Sequence, residues 1–411
     1  MRGVYSPGSD IDCVIKWGDT LTRLKTRPSL RMFAISAPGL ERILRSELDQ
    51  VGVSDAEVIE GGVTFNGDIS SLYKANLSLR TASRVVVRVA EFHADTFHEL
   101  ERRVKRIRWD EYLKRGSRVR FRVTCRKSRL YHSDAVAERF ADAIVQQVGA
   151  VDIAPAGPEA SEEADHSLAA EPPSQLFIVR LTHDNCVVSV DSSGPLLHRR
   201  GYRLAGGKAP VRETLAAAMV IGSGWDGRMP LLDPMCGSGT IAIEAALIAR
   251  GMPPGMHRSF AFQDWPAYDA DLWESVKASA SHNSNSQANG ALLASDRDDG
   301  GVKMARENAE RAGVLEDIEF ESRPISAIEP PAGPGLILTN PPYGIRVGER
   351  GPLRNLYAQL GKVLKAKASG YSVALLSADT ALESMLRLQL EEVFRTRNGG
   401  IPVRLMKGRV T

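Results

Sequence analysis

The chain has 411 residues, a formal net charge of +3, 43% hydrophobic residues and 25% charged residues, which is typical of a folded protein with two or three domains. No apolar run reaches the roughly 18 residues that a membrane-spanning helix needs, so we predict no membrane partner. The 4 cysteines and 8 histidines show no metal-ligand spacing, and we predict no metal and a reducing, cytoplasmic location.

Regular patterning begins at Met32, so we expect residues 1–31 to be an extension that is not part of the fold. The residues that follow alternate between strand and helix in the order β-α-β-β-α-β, which is typical of a ferredoxin-like unit. The predicted elements are a strand at 32–36, a helix at 38–51, a hairpin at 56–65, a helix from about 69 to 79 and a strand at 84–92.

A second α/β region follows and ends near residue 192. Its predicted elements are a helix capped by Thr96, a strand at 118–125, a helix at 133–148 and a hairpin at 176–191. Residues 153–174 are rich in Ala, Pro, Glu and Ser, which predicts a surface loop insertion and no packed element.

Positive charge is concentrated between Arg80 and Arg129, where 16 Lys and Arg stand against 6 Asp and Glu. This block has a charge of +10 in a chain whose net charge is +3, so the remaining residues carry −7. Such asymmetry indicates a polyanionic partner that is held by one part of the protein.

Three arginines of this block lie on the predicted strand 118–125. Arg118, Arg120 and Arg122 alternate with apolar residues and therefore share one face of the strand. Most cations of the block are arginine, whose guanidinium suits bidentate phosphate contacts. We predict that these three residues bind RNA. A solvated surface without a ligand, or DNA as the polyanion, remains open, because charge alone does not separate them.

A strand, a glycine turn and a helix are predicted between residues 231 and 250. Leu231 and Leu232 end an apolar strand, the turn reads Asp-Pro-Met-Cys-Gly-Ser-Gly-Thr over residues 233–240, and 241–250 has helical spacing. This is the first unit of a nucleotide-binding α/β domain, because glycines let a ligand approach the backbone closely. An ordinary turn between a strand and a helix is the alternative.

The next strand, at 291–296, ends in Asp296. Its two carboxylate oxygens suit the hydroxyls of a ribose, as in dinucleotide-binding folds. Asp298 is a weaker candidate for this role. The alternative is that Asp296 only caps the helix predicted at about 301–312.

An apolar strand at 336–339 runs into Asn340, Pro341, Pro342 and Tyr343. The side-chain carbonyl of Asn340 and the main-chain carbonyl of Pro341 can each accept one N–H of an exocyclic amine and so orient its lone pair. The prolines fix their φ and stiffen the loop, and Tyr343 offers a ring face on which a base stacks. We predict that these four residues are catalytic, with a plain Pro-Pro turn as the alternative.

Together, the turn at 233–240 and the Asn-Pro-Pro-Tyr at 340–343 resemble the amino-methyltransferases that use S-adenosylmethionine (SAM). The resemblance implies a C-terminal class I methyltransferase domain with a Rossmann-like, doubly wound sheet, and SAM as the methyl donor. It also implies that Asp233 meets the methionine ammonium, directly or through water. The cofactor-binding residues that it implies are Asp233, Pro234, Cys236, Gly237, Ser238, Gly239, Thr240 and Asp296.

The chain departs from this family after the third strand of the domain. The family usually has an acid there, whereas this chain has Arg323 and Pro324 after the strand predicted at 318–322. Adenine recognition would then depend on backbone N–H groups or on packing.

The order of elements between residues 71 and 192 resembles a THUMP domain, an RNA-binding module of RNA-modifying enzymes. From Met32 nearly to the C-terminus, the chain also resembles the large-subunit ribosomal RNA methyltransferases that make N2-methylguanine. The segments that carry this second resemblance are 36–41, 61–65, 198–203, 208–218 and 397–400. It implies a ferredoxin-like start at 32–70, a THUMP domain at 71–192 and a methyltransferase domain at 193–411, after which this chain ends without the second methyltransferase domain of some relatives.

The function implied is methylation of a guanine N2 amine in large-subunit ribosomal RNA. A THUMP enzyme that makes the same mark on tRNA is the nearest alternative. A non-catalytic assembly factor is disfavoured by the intact Asn-Pro-Pro-Tyr, and a DNA adenine-N6 methyltransferase by the THUMP-like region. The segment 251–289 leaves one local question open: Trp265, Tyr268 and Trp273 either cover the substrate pocket or pack in a core.

Overall fold

The computed structural model describes residues 29–53, 55–154, 174–203, 211–282, 284–343 and 350–411. Most of the expected N-terminal extension, most of the 153–174 insertion and residues 208–210 lie outside the described residues. The strands of the first sheet are β1 (Leu30–Ser36), β2 (Glu57–Ile59), β3 (Gly62–Gly67), β4 (Ala82–His93), β5 (Arg118–Arg126), β6 (Asp152–Ile153), β7 (Gln175–Thr182) and β8 (Asn185–Asp191). Those of the second sheet are β9 (Leu231–Asp233), β10 (Leu292–Asp296), β11 (Ile318–Ser322), β12 (Leu336–Thr339), β13 (Ser372–Ser377), β14 (Leu390–Asn398) and β15 (Ile401–Arg409).

Helices cover the two sheets. They are α1 (Glu41–Gln50), α2 (Ile69–Ser78), α3 (Phe97–Val104), α4 (Ser133–Val148), α5 (Glu213–Gly222), α6 (Thr240–Ala249), α7 (Ala270–His282), α8 (Asp299–Arg311), α9 (Arg350–Lys367) and α10 (Thr380–Met385). Among these described helices, none is long and apolar enough to cross a membrane.

The first sheet has the strand order β2-β3-β1-β4-β8-β7-β5-β6. Strand β4 pairs with β1 on one side and with β8 on the other, so the ferredoxin-like and THUMP-like strands form one continuous sheet. One face of this sheet packs against α1–α4 around fully buried side chains such as Phe65, Trp109 and Phe140. The predicted β-α-β-β-α-β order is confirmed.

Two local boundaries differ from the prediction. Strand β1 begins at Leu30, two residues before Met32, and pairs with β3 from its first residue. Helix α1 begins at Glu41 and not at residue 38, because Gly39 has a φ of +85° that a right-handed helix excludes. A Cβ on Gly39 would also meet the carbonyl oxygen of Arg395 in β14, so this turn is shaped by a contact with the second sheet.

The second sheet has the order β11-β10-β9-β12-β13-β15-β14. Its first five strands are parallel and β15 and β14 are antiparallel to their neighbours. This confirms the predicted doubly wound class I fold. Strand β12 pairs directly with β9, with Leu336 opposite Leu231, so the carboxyl ends of these two strands meet where the strand order reverses, the usual ligand site of such sheets.

The segment between α6 and β10 joins the two halves of the molecule. Trp265 and Trp273 are each 3% exposed and belong to the core of the first sheet. The ring of Trp273 lies edge-on to Tyr73 of α2, and Trp265 donates its indole N–H to the Gln175 side chain at 2.7 Å. These two tryptophans therefore pack in an interdomain core, and a role for them in covering the substrate pocket is excluded.

Candidate active site

The strand β9, the turn after it and helix α6 place Asp233 at the carboxyl edge of the second sheet. Asp233 is 1% exposed. Its Oδ1 accepts hydrogen bonds from the Thr339 hydroxyl at 2.7 Å and from the Met235 main-chain N–H at 3.2 Å. The Thr339 bond crosses from β12 to β9, so the two predicted motifs are in direct contact.

The second carboxylate oxygen of Asp233 has a different environment. Oδ2 is buried and has no hydrogen-bond partner among the described residues. Burial raises the pKa of Asp233 to about 7, the bonds from Thr339 and Met235 oppose this shift, and the charge of Asp296 adds to it. An unsatisfied buried carboxylate oxygen costs free energy in the folded state, and a cationic hydrogen-bond donor would remove that cost.

The two glycines of the turn have separate roles. Gly237 has a φ of +51°, and a Cβ built on it would find nothing within 4 Å, so its backbone faces open space. Gly239 has a φ of +81°, but a Cβ there would lie 2.8 Å from the Ala305 Cβ on α8. Gly239 therefore serves the close packing of α6 against α8, and its role in cofactor binding stays a prediction.

The other predicted residues of this turn are mostly buried. Cys236, Ser238 and Thr240 are between 4% and 8% exposed. Burial, with the nearby charges of Asp233 and Asp296, raises the pKa of the Cys236 thiol, so the thiol stays protonated and is a poor nucleophile. Pro234 also lies in this turn, immediately after β9, and is buried.

Asp296 lies at the end of β10, as predicted. Its Oδ2 accepts the Gly237 main-chain N–H at 3.0 Å and its Oδ1 accepts that of Asp298, also at 3.0 Å. Helix α8 is capped by Asp298, which accepts the Gly300 N–H. The alternative that Asp296 only caps a helix is therefore wrong, and its carboxylate is fixed against the glycine turn with lone pairs still available.

The structure also shows the segment after β11, where this chain lacks the acid that the methyltransferase family usually has. Arg323 and Pro324 follow β11 directly. The Arg323 main-chain N–H already donates to the Asp296 carbonyl at 2.9 Å, and its guanidinium pairs with Glu321. The main-chain N–H of Arg323 is thus not available to an adenine ring.

Asn340 follows β12 at the same edge of the sheet as Asp233. Its side-chain oxygen Oδ1 is buried and finds no hydrogen-bond partner in the part of the chain that the structure describes. Pro341 is buried and Pro342 is exposed. The site thus holds two unsatisfied buried acceptors, one on Asp233 and one on Asn340, next to two strands that are joined by the Thr339 hydrogen bond.

Tyr343 closes the described part of this loop and has a partner that the sequence did not indicate. Its ring is half-buried and contacts apolar clusters on both faces of the second sheet. Its hydroxyl accepts a hydrogen bond from Asn398 Nδ2 at 2.8 Å. Asn398 ends β14, is 6% exposed, and is followed by a tight turn in which Gly399 and Gly400 both have positive φ.

Because Gly399 and Gly400 already provide the turn conformation, the turn does not require an asparagine at 398. The sequence marked residues 397–400 only through resemblance, and nothing in it connected Asn398 to Tyr343. Thr339 was also missed, although a hydroxyl residue at the end of an apolar strand was a usable signal.

The predicted RNA-binding arginines lie on β5 in the first sheet. Arg118 pairs with Asp152 at 3.4 Å. Arg120 and Arg122 are also engaged in interactions within the protein. The three share one face of β5, while Val119 of the same strand is fully buried on the other face.

Not all cations of the basic block between Arg80 and Arg129 lie on the protein surface. Arg84 is 6% exposed and pairs with the buried Asp191. Arg80 donates to the Met252 carbonyl at 2.7 Å, and burial lowers its pKa to about 10. These two arginines are structural, so part of the positive charge counted in the block from Arg80 is not available to a polyanionic partner.

Models of three families match the chain. The model described as an RMKL-like methyltransferase domain matches residues 200–407, that of the RlmL ferredoxin-like domain residues 31–86, and that of the THUMP domain residues 94–191. A relative from Synechocystis sp. that is named as an RNA methyltransferase is 35% identical over 383 residues, which cover 93% of this chain and 96% of the relative.

Solved structures give the same pattern. A methyltransferase crystallised with S-adenosylhomocysteine superposes with a TM-score of 0.81 at 29% identity, over 94% of this chain and 99% of that one. A Listeria monocytogenes protein named as an N6-adenine-specific DNA methylase has a TM-score of 0.80 at 31% identity, over 93% and 97% of the two chains. TrmN from Thermus thermophilus shares the fold, with a TM-score of 0.66 at 22% identity over 93% of this chain and 100% of TrmN.

Proposed function

This chain belongs to the RMKL-like methyltransferase family, and within that family we propose that it methylates the exocyclic N2 amine of a guanine in large-subunit ribosomal RNA. The coarser activity, SAM-dependent methylation of RNA, follows from the family, from the THUMP domain and from the relative solved with S-adenosylhomocysteine. The substrate base and the class of RNA are the proposal.

The observation that carries the proposal is the pair of unsatisfied buried acceptors, Asp233 Oδ2 and Asn340 Oδ1. They lie at the carboxyl ends of the adjacent parallel strands β9 and β12, at the point where the strand order reverses. One acceptor is an acid, which suits a cationic ammonium, and the other is a neutral amide oxygen, which suits the N–H of an uncharged amine. A site that joins a charged methionine moiety to a nucleobase amine needs these two acceptors.

The residues present fit SAM. Asp233 would hold the methionine ammonium, the open backbone at Gly237 would lie against the methionine part, and Asp296 would accept the ribose hydroxyls. When bound, SAM supplies an electrophilic methyl group on a sulfonium. The loop at 323–324 offers no acid for the adenine.

Asn340 and the loop after it would orient the base. The Asn340 side-chain oxygen and the Pro341 main-chain carbonyl each accept one N–H of the target amine, so the nitrogen lone pair is withdrawn from the ring and aimed at the electrophile. Pro341 and Pro342 hold the loop rigid, and the ring of Tyr343, fixed by its bond from Asn398, provides a stacking surface. Rate enhancement then comes mainly from positioning, and a base within a duplex has to be flipped out of its stack to reach the site.

The choice of guanine in ribosomal RNA is supported by resemblance. The N-terminal part matches the RlmL ferredoxin-like model, and the segments at 36–41, 198–203 and 397–400 resemble ribosomal RNA guanine-N2 methyltransferases. TrmN is 22% identical to this chain and supports only the fold. A tRNA substrate is the second candidate, because the THUMP domain also fits an enzyme that makes the same mark on tRNA. The name of the Listeria relative suggests DNA adenine as a substrate, but the THUMP domain of this chain favours an RNA substrate.

We also propose that Arg118, Arg120 and Arg122 contact RNA phosphates and that the chain divides into domains at about residues 70 and 192. Changing the three arginines to Gln should weaken RNA binding and flatten its dependence on salt, because fewer counterions are released on binding. SAM affinity, measured by calorimetry, should stay unchanged. If the dependence of RNA affinity on salt concentration did not change, these arginines would not contact RNA phosphates.

The proposed function is tested by following methyl-labelled SAM into total bacterial RNA. Large-subunit ribosomal RNA, small-subunit ribosomal RNA and tRNA are separated after the reaction, and each is digested to nucleosides for mass spectrometry. We expect label in N2-methylguanosine from the large-subunit RNA, and labelling that is slower by about 10²- to 10³-fold with the Asn340→Ala variant. Label in tRNA would favour the second candidate, and label on adenine would contradict the assignment of the base.

A further inference from the structure

The peptide unit between Ser238 and Gly239, called here the 238–239 peptide, lies in the turn between β9 and α6. Ser238 is 8% exposed, and its main-chain carbonyl accepts a hydrogen bond from the side-chain nitrogen of Asn308 on α8 at 3.0 Å. The main-chain N–H of Gly239 donates to the carbonyl of Cys236 at 2.8 Å. The carbonyl of this peptide is therefore held by a side chain from another helix, and its N–H is held within the turn.

The glycine that follows leaves the 238–239 peptide two allowed orientations. Gly239 has a φ of +81°. Rotation of the peptide by half a turn would change this φ to about −100°, which a glycine also adopts without a steric clash. In the rotated form, the Ser238 carbonyl would lose Asn308 and the Gly239 N–H would lose Cys236. The bond from Asn308 therefore helps to select one of two backbone conformations.

Asn308 is fully buried, and its amide could present either its oxygen or its nitrogen to Ser238. Only the nitrogen can donate to a carbonyl. Arg311, which lies one turn further along α8, donates to the Asn308 side-chain oxygen at 2.5 Å. Because a guanidinium has donors and no acceptor, this bond turns the amide nitrogen of Asn308 towards the Ser238 carbonyl.

Arg311 also ties α8 to the segment with which the methyltransferase domain begins. Its Nε donates to the main-chain carbonyl of Tyr202 at 2.7 Å. The Tyr202 hydroxyl donates to Glu244 of α6 at 2.8 Å, and Arg200 pairs with the same carboxylate. Tyr202 and Glu244 are 4% and 0% exposed. A chain of hydrogen bonds thus extends from the glycine turn through α8 to this segment and to α6.

A second side chain holds the other glycine of the turn. The Gly237 main-chain N–H donates to Asp296 at 3.0 Å, and Asp296 is partly exposed. Asp296 is also a predicted contact of the cofactor. Asn308 differs in this respect, because a side chain with 0% exposure cannot touch a ligand. Any effect of Asn308 on cofactor binding has to act through the orientation of the 238–239 peptide.

We propose that Asn308 and Arg311 are positioning residues of the SAM site and hold the 238–239 peptide in the orientation that SAM requires. The methionine part of SAM carries a carboxylate as well as an ammonium. A Ser238 carbonyl turned away from α8 would bring partial negative charge to the opposite side of the turn and disfavour an anionic group there. Loss of the Asn308 bond should lower the fraction of molecules that can bind SAM, and the apparent Kd rises by the inverse of that fraction.

The test measures the affinity for SAM by calorimetry at about pH 8, above the pKa of Asp233. Asn308→Ala removes the donor, and Asn308→Asp keeps the shape of the side chain but replaces the donor by an acceptor. Both should weaken SAM about 5- to 150-fold, the change that corresponds to a buried acceptor left without its donor. Arg311→Met allows the Asn308 amide to turn over, and it should weaken SAM about 2- to 12-fold.

Asn76→Ala is the matched control, because it removes another buried asparagine. Asn76 is 1% exposed and donates to the Leu72 carbonyl and the Ser192 hydroxyl, in the N-terminal half of the molecule. This variant should lower the melting temperature at least as much as Asn308→Ala does, and it should leave the affinity for SAM unchanged.

Hydrogen–deuterium exchange in the absence of SAM gives an independent readout. In Asn308→Ala, the Gly239 amide should exchange faster than in the wild type, because the 238–239 peptide can rotate away from Cys236. The Gly237 amide should keep its wild-type rate, since its bond to Asp296 is unchanged. NMR of the free protein resolves the two amides.

The double variant Asn308→Ala with Arg311→Met separates positioning from a general loss of packing. Since Arg311 acts through Asn308, the double variant should bind SAM as weakly as Asn308→Ala alone. Arg311 is exposed, so Arg311→Met is expected to fold and decides the matter even if the changes at Asn308 prevent folding.

Three results would overturn the inference: wild-type affinity for SAM in Asn308→Ala or in Arg311→Met, an equal loss of affinity in Asn76→Ala, or additive losses in the double variant. The inference rests on SAM as the cofactor, and none of these measurements uses RNA. Failure to find N2-methylguanosine would therefore contradict the proposed function and leave this inference standing.

Discussion

The pH dependence of SAM binding follows from the environment of Asp233. Burial raises the pKa of this carboxyl to about 7 in the free protein, so about half of the molecules carry it protonated at neutral pH. Only the ionised form can pair with an ammonium. The apparent Kd for SAM is the intrinsic Kd divided by the ionised fraction, so it should be about tenfold weaker at a pH about one unit below the pKa than on the alkaline plateau.

The direction of this effect is fixed by the sign of the shift. The folded-state pKa is above the ordinary value for Asp, so affinity is full above about pH 8 and falls as the pH drops through about 7. An Asp at its ordinary pKa would give no change over this range. Thr339→Val removes the hydroxyl that donates to Oδ1, so the pKa of Asp233 should rise further and the midpoint of the affinity curve should move to higher pH.

Isothermal titration calorimetry of SAM between about pH 6 and about pH 8 measures both effects. Asp233→Asn is the matched variant, since it keeps the shape of the side chain and removes the charge. It should weaken SAM about 10- to 150-fold at pH 8, the range for a hydrogen bond to a charged group, and should abolish the pH dependence. A wild-type Kd that is flat across the range, or an Asn variant that still shows the same slope, would refute the pairing of Asp233 with the ammonium.

Two further predictions concern the support of the site. Gly239→Ala should lower the free energy of unfolding by about 2–5 kcal/mol, because it combines a strained φ with a clash with α8. Gly237→Ala has only the strained φ and should lower it by about 1–2 kcal/mol. Chemical denaturation measures both losses, and equal losses would contradict the packing role of Gly239. Asn398→Leu should slow methyl transfer about 2- to 12-fold by releasing the Tyr343 hydroxyl, with unchanged SAM affinity. The same change should have no further effect in a Tyr343→Phe background, and additive losses would mean that Asn398 acts elsewhere.

Local motifs explain why so much of the site could be predicted from the sequence. The acid, proline and glycines at 233–240 and the Asn-Pro-Pro-Tyr at 340–343 each carry their chemistry within a few consecutive residues. The apolar runs before them marked strands, and parallel strands of one domain bring their carboxyl ends to one edge. The contact between Asp233 and Thr339 realises that expectation.

Features that depend on distant residues could not be predicted in the same way. The packing of Gly239 against the Ala305 methyl could not be predicted from the motif, because Ala305 lies on a helix that begins some sixty residues later. A count of charges along the chain could not show that Arg84 is buried, because its acid, Asp191, lies on another strand. Asn398 reaches Tyr343 only because a hairpin at the far end of the sheet returns beside the loop at 340–343.

The central claim is that Asn340 orients the target amine, and single-turnover methylation with saturating SAM and RNA tests it most directly. Asn340→Ala removes the unsatisfied acceptor and leaves the Pro341 carbonyl in place, and we expect the rate to fall about 10²- to 10³-fold, by analogy with loss of one preorganised oxyanion-hole donor. Asn340→Asp should be milder, because a carboxylate still accepts the hydrogen bond. SAM and RNA affinities should stay at wild-type values. An Ala variant that transfers methyl within a few-fold of the wild type would show that the active site has been assigned to the wrong residue.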